Sequence, residues 1–160
     1  MERPELDVGR VRALLGGDAL GRVAGLDTVG STSVAPQGEV LADPAAWPDR
    51  SLVVAEHQTA GRGRAERTWT TPRGVAVTAS VLLRPDVPAG RLGWLPLIGG
   101  LATALALRDL GAPAVLKWPN DVLLPAADAL PGWGVHRKVA GILATVVPGV
   151  LSWLAGQAGK

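Results

Sequence analysis

The chain of 160 residues contains no cysteine, no phenylalanine, no tyrosine and only one methionine. Without cysteine it can form no disulfide bond, thiolate nucleophile or cysteine-ligated metal site. Its two histidines, His57 and His136, lack partners at metal-ligand spacing and are interpreted as structural or exposed. A large excess of one charge is also missing, because 16 basic and 14 acidic residues leave a formal net charge of +2. The sequence therefore does not predict the basic face that nucleic-acid binding requires.

Long hydrophobic runs are missing as well. Met1–Arg12 mixes acidic and basic residues and lacks the apolar centre of a signal peptide. Gly93–Leu107 comes nearest to a membrane span but falls short of the roughly 18 apolar residues that a span needs. These features predict a cytoplasmic protein that does not enter a membrane.

Hydrophobic patterning predicts an α+β fold, a mixed β-sheet with packed helices, in which no internal linker divides the chain. Helices are predicted at Val8–Leu15 and Leu92–Leu110. Strands are predicted at Leu26–Ser33, Ser51–Glu56, Gly74–Leu83 and Lys138–Val147. Ala114–Trp118 and Asp121–Leu124 are predicted as two short strands, or as one strand interrupted by Pro119. Pro125–Arg137 reads as a loop rich in proline and glycine, and Pro148–Lys160 shows no clear pattern.

The most informative segment is a loop that follows a predicted strand directly. In it Gly61 and Gly63 alternate with Arg62 and Arg64. The glycines let the backbone approach a ligand closely, and the guanidinium groups suit phosphate or carboxylate. The Gly-Lys-Ser/Thr ending of a phosphate-binding loop is missing, and Glu66 replaces the third glycine of Gly-x-Gly-x-x-Gly. The loop favours an anionic ligand such as a nucleotide; a solvated Arg/Gly turn is the alternative.

A second segment reads Lys-Trp-Pro-Asn-Asp, from Lys117 to Asp121. Pro119 disfavours helix at the residue before it, so the chain bends and presents Asn120 and Asp121 beside a cation. Amide and carboxylate oxygens suit Mg²⁺, and the lysine suits phosphate. A simple Asn-Asp turn is the alternative.

Two weaker signals complete the set of candidate residues. Lys138 opens an apolar strand, where it is either an edge charge or a cation that reaches into a site floored by the small Gly141. Ser31 and Thr32 lie in a polar turn, where their hydroxyl groups either bind a ligand or only stabilise the turn.

Taken in order, these segments resemble the biotin–protein ligase (biotin–[acetyl-CoA-carboxylase] ligase) family. The family pattern is a Ser-Thr turn, Gln-x-x-Gly-Arg-Gly-Arg, Lys-Trp-Pro-Asn-Asp and Lys-x-Ala-Gly-Ile-Leu. This chain supplies these as Ser31-Thr32, Gln58–Arg64, Lys117–Asp121 and Lys138–Leu143, and Trp69 is also similar. The resemblance spans about Thr28 to Leu143 and implies a core like that of class II aminoacyl-tRNA synthetases.

The resemblance implies an ATP-dependent reaction in two steps, with biotin, ATP and Mg²⁺ as the small molecules. The biotin carboxylate attacks the α-phosphorus of ATP, giving biotinyl-5′-AMP and pyrophosphate. A lysine of a biotin carboxyl carrier protein domain, part of acetyl-CoA carboxylase or a related carboxylase, then takes the biotinyl group. The chemistry needs no protein nucleophile but needs cations where negative charge develops.

The family's site residues carry over by position. On the biotin side, Ser31, Thr32 and Gln58 are expected to bind the polar ureido end, and Gly61 and Arg62 to line the same pocket. Lys138 is expected to contact the biotin carboxylate and the α-phosphate.

On the nucleotide side, the residues expected to contact ATP or the adenylate are Arg64, Trp69, Lys117, Asn120 and Asp121. Asp121 is also the expected Mg²⁺ ligand. The expected catalytic residues are Lys138, Arg64 and Lys117.

The chain departs from the family pattern at several places. Ala65 and Glu66 stand where the family has Arg-Gly, which predicts weaker retention of the adenylate, and Thr145 stands where the family commonly has Glu. The family's next strand with its Gly-x-Gly-x-Asn run, its C-terminal barrel-like domain and its N-terminal helix-turn-helix have no counterpart. Residues 1–160 are therefore expected to form one incomplete catalytic domain.

Two other functions fit the same residues. One is a catalytically impaired fragment that binds biotin or the carrier without turnover. The other is a lipoate- or octanoyl-transferring relative, which the Lys-Trp-Pro-Asn-Asp and Gly-Arg-Gly-Arg segments disfavour. A nucleic-acid-binding module ranks last, because the basic residues concentrate in a single loop.

Overall fold

A computed structural model describes residues 4–16, 19–131 and 134–147. The chain forms two compact units. The first comprises Met1–Pro85 together with Thr145–Lys160, and the second comprises Asp86–Ala144. The unpatterned segment Pro148–Lys160 lies outside the described residues.

The first unit is built around a mixed three-stranded sheet. Its elements are α1 (Val8–Leu14), β1 (Val23–Val29), α2 (Gln37–Ala42), β2 (Ser51–Gln58), β3 (Gly61–Arg62), β4 (Thr68–Trp69) and β5 (Thr78–Leu82). Strand β2 is central, with β1 parallel on one side and β5 antiparallel on the other. The short strands β3 and β4 pair with each other outside this sheet.

The core of this unit forms where α2 and the residues after it cover the sheet. Val40, Trp47 and Val53 are buried together, and Leu82 and Val147 pack against them. Strand β2 is buried along almost its whole length, as expected for a central strand with a continuous apolar run. The parallel pairing of β1 with β2 requires a crossover connection, which α2 provides.

The second unit is a three-stranded antiparallel sheet with one helix on it. A 3₁₀ segment, Ala89–Trp94, leads into α3 (Leu95–Asp109), followed by β6 (Val115–Lys117), β7 (Asp121–Leu130) and β8 (Gly134–Gly141). The strand order is β6-β7-β8. Buried Ala104 of α3 packs with Ala114 and Val122, and the residues that surround them are Leu107, Leu124, Ala140 and Ile142.

Helix α3 approaches the sheet closely because its contact face carries glycine. A Cβ on Gly99 would lie 3.2 Å from Cγ2 of Ile142, and one on Gly100 would lie 3.5 Å from Cδ2 of Leu116. The side chains of Leu116, Val122 and Ile142 therefore mark the helix-facing side of the sheet.

The prediction of a loop over Pro125–Arg137 is wrong, because β7 and β8 form a hairpin across this region. Leu124 pairs with Arg137 and Pro125 pairs with His136. Strand β6 pairs only with Asp121–Leu123 of β7. At Pro125, the edge of β7 on the β6 side therefore makes no hydrogen bond to a neighbouring strand. Proline is tolerated at such an edge, which explains why the loop signal was misleading.

The other predicted elements exist with shifted ends. Strand β1 starts and ends earlier than Leu26–Ser33, β2 extends two residues beyond Glu56, and β5 occupies only the second half of Gly74–Leu83. The helical segment Ala89–Asp109 has 21 residues, and an 18-residue window within it reaches a mean hydropathy of 1.3. By length and composition this segment, within the described residues, could cross a membrane. The prediction that the region is too short for a membrane span is therefore corrected.

Candidate functional site

The first unit gathers the predicted biotin-side residues where β1 and β2 end. The strands run parallel with Val29 opposite Gln58, so both carboxyl ends meet at one edge of the sheet. The turn after β1 carries Ser31 and Thr32, which are 7% and 3% exposed, and Gln58 is 9% exposed. Buried polar side chains require hydrogen-bond partners, so the arrangement of these groups is specific.

Thr32 and Gln58 are partners of each other, and the Ser31 hydroxyl lies 3.0 Å from that of Ser33. The backbone N–H and the hydroxyl of Thr32 both donate to Oε1 of Gln58, at 2.8 and 3.1 Å. The Thr32 hydroxyl has one proton, so the Ser80 hydroxyl, 2.7 Å away, donates to it in turn. Because Oε1 accepts both bonds from Thr32, the carboxamide of Gln58 is fixed in orientation. Ser80 was not predicted, since a serine in an apolar strand carries no distinguishing signal.

Gly61 makes room for this carboxamide. A Cβ on residue 61 would lie 2.6 Å from Nε2 of Gln58 and would also collide with the carbonyl oxygen of Trp69. Trp69 is the strand partner of Gly61 across β3 and β4. No residue with a side chain fits here without displacing one of these neighbours. Gly61 therefore belongs with Thr32 and Gln58 in one polar cluster.

The arginine loop continues from this cluster as a tight turn between β3 and β4. The N–H of Gly63 donates to the carbonyl of Arg67 at 2.6 Å. Arg62 and Arg64 are exposed, and Trp69 is half-buried. Ala65 and Glu66 adopt φ of 53° and 58°, in the left-handed region that favours glycine. The second of these positions is the one where the family pattern has glycine.

An exposed ion pair lies elsewhere on the first unit. Arg73 donates to both carboxylate oxygens of Asp27, one of them from Nη1 at 3.1 Å. These hydrogen bonds hold the pKa of Asp27 below its usual value of 3.8, and they raise the pKa of Arg73. Both groups lie at the surface, so the pair is open to screening by salt.

The second unit places its predicted residues on the side of the sheet that faces away from α3. Lys117 at the end of β6 pairs with Asp121 at the start of β7, and Asp121 pairs with Gly141 at the end of β8. Directly opposed residues share a face, so this row crosses the sheet on one side. The turn between β6 and β7 includes a cis peptide bond at Trp118–Pro119, and Trp118 is 80% exposed. Asn120 accepts a backbone hydrogen bond from Ile142 at 2.9 Å.

Lys138 completes the row through a salt bridge. Its Nζ lies 2.7 Å from Oδ1 of Asp121, and both side chains are about one-fifth exposed, at 22% and 21%. Among these three residues, Lys117 and Lys138 supply two positive charges against the one carboxylate of Asp121. Such a face suits a phosphate or carboxylate ligand.

The turn also borders a cavity of about 290 Å³. Leu97, Gly100 and Leu101 of α3, Leu116 of β6 and the turn Lys117–Asp121 line this cavity, whose surface is mostly apolar.

The chain is similar in sequence to a known protein family and to several of its members. Residues 39–154 match the model of the biotin/lipoate A/B protein ligase family. The chain is 40% identical over 151 residues to the biotin–[acetyl-CoA-carboxylase] ligase of Mycobacterium tuberculosis, an alignment that covers 90% of this chain and 52% of that protein. It is 41% identical over 78 residues to the bifunctional ligase/repressor BirA of Bacillus subtilis, covering 48% of this chain and 24% of the relative. The chain thus spans at most about half the length of these two relatives.

Solved structures agree with the sequence comparison. Biotin protein ligase from Aquifex aeolicus, in complex with biotin and ATP, superposes with a TM-score of 0.61 at 31% identity, covering 80% of this chain and 48% of that one. Biotin acetyl coenzyme A carboxylase synthetase from Helicobacter pylori, with bound biotinylated ATP, gives 0.59 at 28% identity, covering 80% and 56%. The predicted α+β class, a mixed sheet with packed helices in a class II synthetase-like core, is confirmed.

Proposed function

The chain belongs to the biotin/lipoate A/B protein ligase family, and from that premise we propose that it is an ATP-dependent biotin–protein ligase. Biotin and ATP give biotinyl-5′-AMP and pyrophosphate, and a carrier lysine then displaces AMP to form an amide. The acceptor is a biotin carboxyl carrier protein domain of acetyl-CoA carboxylase or a related carboxylase. Cytoplasmic location is part of the same proposal.

The observation that carries the proposal is the Lys138–Asp121 pair on a positively charged sheet face. A carboxylate attacking the α-phosphorus of ATP brings two anions together, and charge builds on the phosphate oxygens as the α–β phosphoanhydride bond breaks. A lysine held in place by a carboxylate needs little reorganisation to stabilise that charge. We assign Lys138 to the biotin carboxylate and the α-phosphate, and Lys117 and Asn120 to the remaining phosphate oxygens.

In the first unit we assign the polar cluster of Ser31, Thr32, Gln58 and Gly61 to the ureido group of biotin. The ureido group has one carbonyl acceptor and two N–H donors, so it needs both kinds of partner. Nε2 of Gln58 can donate to the carbonyl and the hydroxyl oxygens of Ser31 and Thr32 can accept from N–H groups, and the hydrogen bonds between Thr32 and Gln58 support a preorganised site.

The exposed loop arginines suit a ligand that arrives from solvent. We assign Arg62 to the biotin pocket beside Gly61, and Arg64 to the phosphate of the adenylate. Trp69 is half-buried beside this loop and would shield the bound adenylate from water. Water exclusion matters here because a mixed anhydride of carboxylate and phosphate hydrolyses readily.

Mg²⁺ enters this proposal as a companion of the ATP phosphates. Asp121 is the carboxylate we assign to it, and its Oδ1 is already taken by Lys138, which leaves Oδ2 for the metal. Within residues 4–16, 19–131 and 134–147 no group of three His, Cys, Asp or Glu side chains could hold a metal ion. That donor set fits Mg²⁺ bound mainly through phosphate oxygens and water, with at most one protein carboxylate.

The proposal is tested by measuring pyrophosphate release by the purified chain with ATP, Mg²⁺ and biotin. The assay is repeated with a biotin carboxyl carrier protein domain, whose mass reports biotinylation. We expect biotin-dependent release and a carrier heavier by one biotinyl group. Omission of biotin, and lipoate in place of biotin, are the matched controls.

Other outcomes separate the remaining functions. No pyrophosphate release with biotin binding still detectable by calorimetry would replace the ligase with a fragment that binds without turnover. Release that depends on lipoate or octanoate instead of biotin would assign the chain to the lipoate branch of the family.

A further inference from the structure

The position of the Lys138 ammonium conflicts with simple strand alternation. Lys138 and Gly141 are three residues apart on β8, so a regular strand would direct them to opposite faces of the sheet. Gly141 is the partner of Asp121, and the Lys138 ammonium nevertheless lies 2.7 Å from the Asp121 carboxylate. The strand must therefore be irregular between residues 138 and 141 for both side chains to lie on the same face of the sheet.

A shift in strand register accounts for this. Val122 pairs with Ala140 and Leu123 pairs with Lys138, so the pairing skips Val139. One extra residue in a strand reverses the facing of the residues beyond it. With regular pairing Lys138 would oppose Leu124, whose side chain packs into the core beneath α3. The extra residue therefore places Lys138 on the side of the sheet that carries Lys117 and Asp121.

Gly141 provides the space that the lysine then uses. A Cβ on residue 141 would lie 3.0 Å from both Cε and Nζ of Lys138, and 3.8 Å from Oδ1 of Asp121. The end of the lysine side chain therefore runs back along its own strand and lies over the bare backbone of Gly141. A methyl group at that point would displace the end of a flexible side chain, which costs the fold little but moves the ammonium.

We propose that Gly141 and the extra residue Val139 form a positioning device that sets the Lys138 ammonium against Asp121. Its catalytic consequence rests on the proposed ligase function, in which this ammonium faces the α-phosphate. Gly141 is a positioning residue, since it acts on the reaction only through Lys138.

The position of the ammonium can be measured without any enzymatic activity. The chain has three lysines, Lys117, Lys138 and Lys160, so peptide mass spectrometry after brief treatment with acetic anhydride resolves the acetylation rate of each. Lys117 is exposed and serves as the internal reference. In Gly141→Ala the rate at Lys138 relative to Lys117 should rise roughly two- to fivefold, as expected for a weakened ion pair.

Two further variants make the measurement decisive. Gly93→Ala adds a methyl group in the same unit where no atom lies within 4 Å, and should leave the ratio unchanged. Asp121→Asn removes the partner carboxylate and should raise the ratio even if Gly141→Ala were to fold poorly. An unchanged ratio in folded Gly141→Ala would overturn the positioning role, whatever the ratio in Asp121→Asn.

The pyrophosphate assay adds the catalytic consequence. Gly141→Ala should lower kcat roughly a hundredfold, because a shift of about 1 Å in a catalytic group has that effect, with smaller changes in KM for biotin and ATP. A raised acetylation ratio with unchanged kcat would refute the link to catalysis. A raised ratio in a chain whose wild type releases no pyrophosphate would refute the ligase function and leave the geometric assignment standing.

Discussion

Gly61 and Gln58 share one space: a side chain on residue 61 would begin 2.6 Å from Nε2 of the Gln58 carboxamide. The same carboxamide is fixed at its other end by Thr32. The glycine that the motif places three residues after the glutamine therefore has a steric purpose. It keeps the side-chain amide of Gln58 in position beside the polar turn.

Gly61→Ala should disturb both the fold and the pocket. We expect a loss of about 1–3 kcal/mol in the free energy of unfolding, because the methyl group meets backbone as well as side chain. Biotin affinity should fall roughly tenfold, equivalent to the loss of one hydrogen bond. Urea unfolding and calorimetry with biotin measure the two effects. Gly38→Ala, where a Cβ meets no atom within 4 Å, is the control, and equal behaviour of the two variants would contradict the steric argument.

Lys138→Ala should remove adenylate formation while leaving the protein folded. The ammonium is partly exposed, so its loss affects the core little, whereas biotin-dependent pyrophosphate release should fall by about 10²–10³. Steady-state release and thermal unfolding give the two readouts. Arg91→Ala removes an exposed cation from the same unit and should retain activity. Undiminished turnover in Lys138→Ala would remove the role assigned to this residue.

Glu66→Gly should slow the release of biotinyl-AMP and stabilise the fold. The residue has φ of 58°, so glycine relieves about 1 kcal/mol of backbone strain, and the exchange also removes an anion beside the proposed phosphate-binding residue Arg64. Ala65→Gly, at φ of 53°, relieves similar strain without a change of charge. Urea unfolding should show a gain in both variants, and retention of labelled adenylate after dilution should improve only in Glu66→Gly. An unchanged rate of biotinyl-AMP release in Glu66→Gly would show that the charge of Glu66 does not affect adenylate retention.

The Asp27–Arg73 pair should contribute to stability only above acid pH. The folded state lowers the pKa of Asp27 below its unfolded value of 3.8. The contribution is therefore fully present above that value and is lost as the pH falls through the lower folded-state pKa. The urea midpoint of the wild type should exceed that of Arg73→Ala at pH 7, and the difference should shrink as the pH falls below 3.8.

Matched variants check the origin of this pH dependence. Asp27→Asn should lose the same stability at pH 7 and show the same convergence in acid. Added salt should reduce the difference, because both groups are exposed. A difference between wild type and Arg73→Ala that stayed constant as the pH fell below 3.8 would show that Arg73 acts by packing and not by charge.

The sequence by itself determined the family, the fold class and the identity of the candidate residues. Several candidate residues are neighbours in the sequence and can be recognised as motifs. The loop from Gln58 to Arg64 and the segment from Lys117 to Asp121 each keep their chemical groups together along the chain. Strong local patterns also located β2, α1 and α3 to within a few residues. The Pro125–Arg137 hairpin was missed because proline and glycine mark strand edges as well as loops.

Only the tertiary structure decided which side chains meet. Ser80 reaches Thr32 across 48 residues of sequence, and no local pattern distinguishes it from other strand serines. The facing of Lys138 depends on one skipped residue in the β7–β8 register, which the sequence does not reveal because strand pairing is a long-range choice. The space over Gly61 and Gly141 exists only once strands and side chains are packed. The motifs name the chemical groups, and the packing of the sheet sets the distances between them.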